Sequence, residues 1–464
     1  MSTLQIKAPY DQSLIKELRL QTSGEMNAML SKAFDLFSHR SNWLPKYKRI
    51  EILENIARLM SERSEEIIRT STQEGGKPWM DTKAEMDRAI NGVKLAIENL
   101  GHHKGEEVPM GQTKASMNRM AFTFREPIGV VAAISAFNHP INLIVHQTIP
   151  AIAVGSPVII KPAPTTPLTC MLLTEIYREA GLPKGWCETL ICDNDVAEEL
   201  VTSSKVNFFS FIGSAKVGWY LRSKLAPGTR CALEHGGAAP VIVEPDADVD
   251  SMIPSLVKGG FYHAGQVCVS VQRVFVHESI IEAVSKKMVA AIKNLKVDDP
   301  LKDSTEVGPL ILPKEVDRVE QWVNEAKKKG AEVLFGGNRL SDTCYQPTLL
   351  LNPSSETNVS RMEIFGPVVC FYSYSDMREA IDQANDIPYH FQAAVFTKNI
   401  DRAVDAVHRL DASAVMVNDH TAFRVDWMPF AGRDESGLGI GSIPHTMHDV
   451  SREKMMVIKS EVLD

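Results

Sequence analysis

The sequence predicts an α/β protein of at least two domains, on three observations: its length, a change of hydrophobic pattern at Pro127, and a second series of strand-like runs from Pro240. At 464 residues the chain exceeds the size at which a single core stops growing, so more than one substructure is expected. From Pro127 the apolar runs GVVAAIS, SPVIIKP, CETLICD, VNFFSF and RCALEH alternate with helical stretches such as TPLTCMLLTEIYREAG and NDVAEELVTS. Such alternation reads as parallel βαβ units. APVIVEP, QRVFVHESI, the helix IIEAVSKKMVAAIKNL, EIFGPVVCFY and AAVFTK repeat the pattern and predict a second α/β domain.

Before Pro127 the chain reads as mostly helical, with Ile52, Leu53, Ile56, Leu59 and Met60 at helical spacing in RIEILENIARLMSERSEEIIR. The polar stretch GEEVPMGQTKASMNRMAFTFR reads as an excursion from the first domain, and REKMMVIKSEVL as a terminal strand. A formal charge of −8 without basic blocks argues against a nucleic-acid surface, and basic runs such as KKMVAAIK read as solvated helix faces. No apolar run approaches the roughly 18 residues that span a bilayer, and the N-terminus lacks the apolar core of a secretory signal, so neither membrane nor export is expected and the default compartment is the cytoplasm. Seven scattered cysteines, with no CxxC pair and no metal-like His/Cys spacing, predict free thiols and no metal site.

Three segments carry chemistry. In Gly265-Gln266-Val267-Cys268-Val269-Ser270 a cysteine follows a glycine turn and precedes the strand-like QRVFV, although a single cysteine is more often a packed core residue. In Leu233-Glu234-His235-Gly236-Gly237 a carboxylate ends an apolar strand before two glycines, which suits a general base or, more plainly, a capping acid. Ala136-Phe137-Asn138-His139-Pro140 follows VVAAIS and offers the Asn138 amide to a developing oxyanion, or else simply makes a turn.

Taken together and in this order, these segments resemble the aldehyde dehydrogenase superfamily over nearly the whole chain. VIIKPAPTTPLT resembles the family's strand and lysine turn at the adenosine ribose, FIGSAKVG the turn beside the pyrophosphate, MEIFGPVV the acid at the nicotinamide ribose, and MPFAGRDESGLG the C-terminal motif. The resemblance implies a Rossmann-type NAD(P)-binding domain from residues 1–104 and 126–235. It implies a catalytic domain over 236–438 and an oligomerisation element from 105–125 and 439–464, serving a homodimer or homotetramer. By the same comparison Cys268 is the nucleophile, Glu234 the base and Asn138 the oxyanion donor, while Lys161, Gly213, Ser214, Glu363 and Phe365 hold NAD or NADP. Each cofactor residue alone has a plainer reading, as a snorkelling lysine, an N-cap or a solvated acid. The chain departs from the family at Pro164, where many members have a ribose-binding Glu, so NADP is expected to be possible beside NAD. His235 replaces a usual Leu. The family's first strand pair is expected to be missing.

The expected substrate is a short aldehyde carrying an anion, of sulfoacetaldehyde or carboxylate-semialdehyde type. Its proposed contacts are Arg424, just ahead of the C-terminal motif, His146, eight residues after Asn138, and His102, with His103 beside it. The plainer readings are an Arg424–Asp426 ion pair and packed or solvated histidines. Val267 before the nucleophile, where some phosphate-using relatives have Arg, favours carboxylate or sulfonate over phosphate. Lactaldehyde is the neutral alternative. The rivals are a CoA-acylating relative, set against Glu234, a Cys/His hydrolase, which would need no dinucleotide, and a non-catalytic homologue, set against the joint presence of Cys268, Glu234 and Asn138.

Overall fold

A computed structural model describes residues 2–463. It opens on a correction: Thr3–Lys7 and Leu14–Arg19 pair antiparallel, so the first strand pair is present. Both strands are short and largely polar, and only Ile6 and Leu18 are buried, against Ile191. Four helices follow, Ser23–Ser38, Lys46–Glu62, Ser64–Gly75 and Trp79–His102. The first begins on a reciprocal Thr22/Glu25 capping box, which satisfies two otherwise orphaned backbone donors.

The first sheet has six strands in the order Gly437–Leu438, Arg230–Glu234, Val206–Ile212, Val130–Ile134, Val158–Lys161 and Cys187–Thr189. All neighbours are parallel except the first pair. Val130–Ala133 and Val158–Lys161 are buried on both faces, as continuous apolar strands covered by helices must be. From Val130–Ile134 the chain builds outward through Val158–Lys161 and Cys187–Thr189, then returns to lay Val206–Ile212 on the opposite side. That reversal opens a crevice at the carboxyl ends of the two central strands, where α/β sheets take their ligands. Helix Asn142–Val154, wholly buried and largely apolar but for Asn142, His146, Gln147 and Thr148, packs beneath the sheet against Trp79–His102.

The second sheet has seven strands, ordered Glu332–Phe335, Thr348–Leu351, Val368–Tyr374, Arg273–His277, Pro240–Val243, Gln392–Phe396 and Ala414–Val417, parallel but for the first pair. A three-stranded sheet joins Glu107–Val108 and Ser451–Lys459 to the long central strand Arg119–Pro127. Two expected boundaries shift. Gly437–Leu438, placed with the second domain by sequence, hydrogen-bonds to Arg230–Glu234 in the first sheet. Within 439–464, helix Ile443–Asp449 packs on helices Asn142–Val154 and Trp79–His102, leaving only Ser451–Lys459 to the three-stranded sheet. Among the described residues no helix is long and apolar enough to cross a membrane.

Candidate active site

The crevice of the first sheet continues into a cavity of about 630 Å³ whose lining includes Asn138, Lys161, Ser214, Glu234, Cys268 and Arg424. Cys268 is delivered to it by an unusual turn. His263, Ala264 and Gly265 take successive left-handed conformations, with φ of 49°, 54° and 69°. A side chain at Gly265 would place Cβ 2.2 Å from the Gly366 carbonyl oxygen, so glycine is required there. The turn folds the chain back and leaves the Cys268 thiol partly open to the cavity. Burial, with Glu234 and Glu363 adding negative charge, pushes that thiol up to about 12, and Arg424 opposes them. The resting group is therefore a neutral thiol that needs a base.

Glu234 ends strand Arg230–Glu234, and its backbone carbonyl accepts from Gly213 N–H at 3.0 Å. Its carboxyl group lies against Gly441, where a Cβ would stand 2.3 Å from Oε1. Among the described residues it accepts no side-chain or backbone hydrogen bond, and burial raises its pKa while Arg424 lowers it. Such a carboxyl is poised to take a proton rather than to anchor structure.

Asn138 is buried, and its Nδ2 donates to the Gln266 carbonyl at 2.9 Å, fastening it to the Cys268 loop and leaving its second N–H for the cavity. Its backbone is held from behind. The fully buried Lys77 Nζ bridges the Glu85 carboxylate and the Asn138 carbonyl oxygen, the latter at 3.2 Å. Glu85 Oε1 accepts from Ile141 N–H and Asn142 N–H at 2.9 and 2.8 Å. Sequence reasoning overlooked Lys77 and Glu85, eight residues apart on polar-looking segments.

At the other end, Lys161 is buried where its strand ends, and its Nζ has one long contact, 3.4 Å to the Pro162 carbonyl. Gly213 and Ser214 precede helix Ala215–Arg222, whose first turn takes no side-chain cap, so its N–H groups face the crevice. Glu363 receives Gly237 N–H at 3.2 Å, and burial pushes it up to about 8. Phe365, left-handed at φ 46°, meets the Phe137 ring edge-on at 5.8 Å. A lysine short of partners, an open helix N-terminus and a lone acid along one trough fit the hydroxyls and pyrophosphate of a dinucleotide.

Beyond Cys268, Arg424 lies over the Phe430 ring, 3.5 Å from its centroid, with its NH2 3.5 Å from His146 Nδ1 and its enclosed Nε without a partner. The suspected Arg424–Asp426 pair does not form. Asp426 instead accepts from Arg88 at 2.8 and 3.2 Å, His146 Nε2 at 2.8 Å and Asn142 Nδ2 at 3.1 Å. Despite its burial, His146 and Arg88 hold Asp426 well below the carboxylate range, and burial holds His146 down to about 4, as neutral imidazole. Arg88, which lines the cavity from helix Trp79–His102, was not anticipated, because nothing in TKAEMDRAI sets it apart from any other charged residue of an amphipathic helix. His102 is a correction. It is exposed at the end of that helix and does not line the cavity, because the last helical turn points away. His103 faces a different cavity.

A dinucleotide-length trough that runs into a thiol, an unpartnered carboxyl and an amide has the form of a thiol-dependent dehydrogenase. The chain belongs to the aldehyde dehydrogenase family, whose model, described as Aldehyde dehydrogenase family, matches residues 1–456. It is 37% identical to 3-sulfolactaldehyde dehydrogenase of Priestia megaterium over 456 residues, 98% of this chain and 94% of that one. It is 35% identical to lactaldehyde dehydrogenase of Methanocaldococcus jannaschii over 455 residues, 97% and 96% of the two chains. The structure of aldehyde dehydrogenase 21 from Physcomitrella patens, in complex with the reaction product succinate, superposes with a TM-score of 0.96 at 33% identity, covering 99% of this chain and 96% of that one. Solved members of the family carry NADP or NAD. The protein is an NAD(P)-dependent dehydrogenase of small aldehydes.

Proposed function

We propose that the protein oxidises a short anionic aldehyde, a carboxylate semialdehyde or a sulfonated aldehyde, to the corresponding acid. The observation that carries this reading is the Arg424 guanidinium, enclosed in the substrate end of the cavity with no carboxylate of its own and with Arg88 beside it. An enclosed cation whose contacts are a ring face and a neutral imidazole, with no carboxylate in ion-pair contact, gains from a ligand that supplies one, and a planar guanidinium suits a carboxylate or sulfonate. Two similar proteins, named for sulfolactaldehyde and solved with succinate, point the same way.

Cys268 Sγ adds to the aldehyde carbon as its proton passes to Glu234, directly or through water. The new oxyanion accepts from the Asn138 amide and the Cys268 backbone N–H. A bound nicotinamide cofactor would supply the hydride acceptor that takes the thiohemiacetal to the thioester. Lys161, the Gly213–Ser214 turn and Glu363 would hold its dinucleotide, with Phe365 and Phe137 lining the trough. Glu234 gives up the thiol's proton to solvent and then takes one from water; the hydroxide adds to the thioester carbon, the Cys268 thiolate leaves and recovers a proton from Glu234, and the carboxylic acid departs. Pro164, three residues after Lys161, places no acid against a 2′-phosphate, so NADP is admitted beside NAD. Strand Ser451–Lys459 exposes Met455, Met456, Val457 and Ile458, which supports a homodimer or homotetramer joined through that sheet.

Purified protein assayed at 340 nm with NAD and NADP tests the substrate class. Succinate semialdehyde, sulfoacetaldehyde and 3-sulfolactaldehyde should exceed propionaldehyde and lactaldehyde in kcat/KM by roughly tenfold or more. Equal efficiency on charged and neutral aldehydes would reject it. A monodisperse monomer by light scattering would reject the assembly.

A further inference from the structure

A second cavity, of about 170 Å³, opens where helix Lys46–Glu62 begins, helices Trp79–His102 and Asn142–Val154 end, and strand Arg119–Pro127 passes. Its ionisable lining is Lys46, Arg49, His103 and Arg125, with no carboxylate among them. Their partners are all neutral. Lys46 Nζ donates to the Leu100 carbonyl at 3.3 Å, and Arg49 donates from Nε to the Leu44 carbonyl at 3.1 Å and from NH1 to that of Ala153. His103 Nε2 meets Ser451 Oγ at 3.1 Å, and Arg125 meets the His448 ring.

Two of those carbonyls belong to helix C-termini, and each helix end offsets about half a charge, so capping accounts for only part of the three permanent cations. Of the neighbouring acids, Glu453 stands opposite Arg125 on the adjacent strand, exposed and without an ion pair among the described residues, and two others are engaged elsewhere. Glu126 binds Arg40 at 2.7 and 3.0 Å, and Asp449 stands on the far side of the His448 ring, 3.8 Å from Nδ1. The excess positive charge is felt locally: burial, then Arg125 and Lys46, push the His103 imidazole down to about 4, and burial draws Arg49 down to about 10. Cations gathered around an enclosed space without an acid define the charge of what fits there.

We propose that this cavity is a binding site for a small tetrahedral oxyanion such as inorganic phosphate or sulfate, held by Arg49 and Arg125 with Lys46 at its mouth. Its ionisable residues share none with the aldehyde cavity, so the site is separate from the substrate anion pocket.

The test is calorimetric titration of untagged, NAD-saturated protein with inorganic phosphate at ionic strength fixed with chloride. NAD occupies the pyrophosphate trough, and Arg424→Leu removes the substrate anion contact. One saturable site per chain is expected, displaced by sulfate, retained in Arg424→Leu, and weakened roughly ten- to a hundredfold in the Lys46→Met/Arg125→Gln double variant. Both variant side chains stand near the surface, and unchanged propionaldehyde turnover in chloride buffer verifies that the double variant is folded. Arg49→Lys, which keeps the charge and shortens the fork, should weaken phosphate in the same direction. The proposal falls if phosphate gives no saturable heat, if the double variant binds it undiminished, or if Arg424→Leu abolishes it.

Discussion

Arg424 and Asp426 stand two residues apart with opposite charges, yet each turns to a different partner: Asp426 to Arg88 and His146, and Arg424 to the face of Phe430. The acid is spent on positioning, and the guanidinium stays available to a ligand. Arg424→Leu should therefore lower kcat/KM for anionic aldehydes by about ten- to a hundredfold while changing propionaldehyde by less than about threefold. Arg88→Leu should differ in kind, because it leaves Asp426 short of a charged partner and lowers the melting temperature as well. Steady-state kinetics and thermal unfolding of the two variants separate these roles, and an equal loss on charged and neutral substrates in Arg424→Leu contradicts the assignment.

Cys268→Ala should abolish aldehyde oxidation while NAD(P) binding persists, because the thiol lies at the end of the trough and holds none of the dinucleotide. Glu234→Gln should slow steady turnover yet release up to one equivalent of reduced cofactor in a burst, since hydride transfer precedes hydrolysis. Stopped-flow absorbance at 340 nm reads both. Normal turnover in the alanine variant would overturn the nucleophile assignment.

The same carboxyl sets a pH dependence. Burial raises the pKa of Glu234, and a base must be deprotonated to act, so kcat falls as pH drops through that raised value, above the ordinary carboxylate range of about 4.3. Arg424 opposes the shift, so Arg424→Leu moves the acid limb to higher pH. An acid limb unmoved in that variant would show that Glu234 does not control it.

Glu363 makes a prediction about stability. Its folded-state pKa is raised to about 8, so between the unfolded value near ~4.3 and pH 8 the folded state binds more protons, and stability declines as pH rises. Glu363→Gln removes that cost and should raise the melting temperature of the cofactor-free protein at pH 8.5 by roughly 1 to 3 °C, with little effect at pH 5. The variant should bind NAD(P) more weakly. A thermal shift series across pH tests the sign.

Gly236 faces that acid directly, and a Cβ there would sit 1.9 Å from Glu363 Oε2. Gly236→Ala must displace the carboxylate, so the KM for NAD(P) should rise about tenfold or more with the fold intact. Cofactor titration by fluorescence measures it.

Strand and helix alternation was readable because buried parallel strands are apolar on both faces, as VVAAI and VIIK show. The opening hairpin was not, since TLQIK and LIKELR bury only one or two side chains and look like solvated chain. Cys268, Glu234 and Asn138 each stand at a strand end or glycine turn where a packed thiol, a cap or a turn is the plainer reading, and only their joint order, resembling that of the family, singles them out. Arg88, Lys77 and Glu85 are polar residues on or beside helices, where sequence spacing says nothing about which helix lies opposite. His102 failed for the converse reason: its position in the chain suggested a wall, but the orientation of one helical turn decided against it.

Three left-handed residues in succession, only the last a glycine, hold the nucleophile loop in a state that its own backbone disfavours. His263 and Ala264 each carry an energetic debt of order 1 to 3 kcal/mol, met by contacts elsewhere in the fold. The loop is thus a sprung element, and loosening its restraints at Gly366 or Gln266 would let it relax without any change to the thiol itself. Loss of activity on mild heating or in dilute denaturant should then precede global unfolding, so that enzymatic inactivation and structural collapse are two events in this protein, separated in temperature.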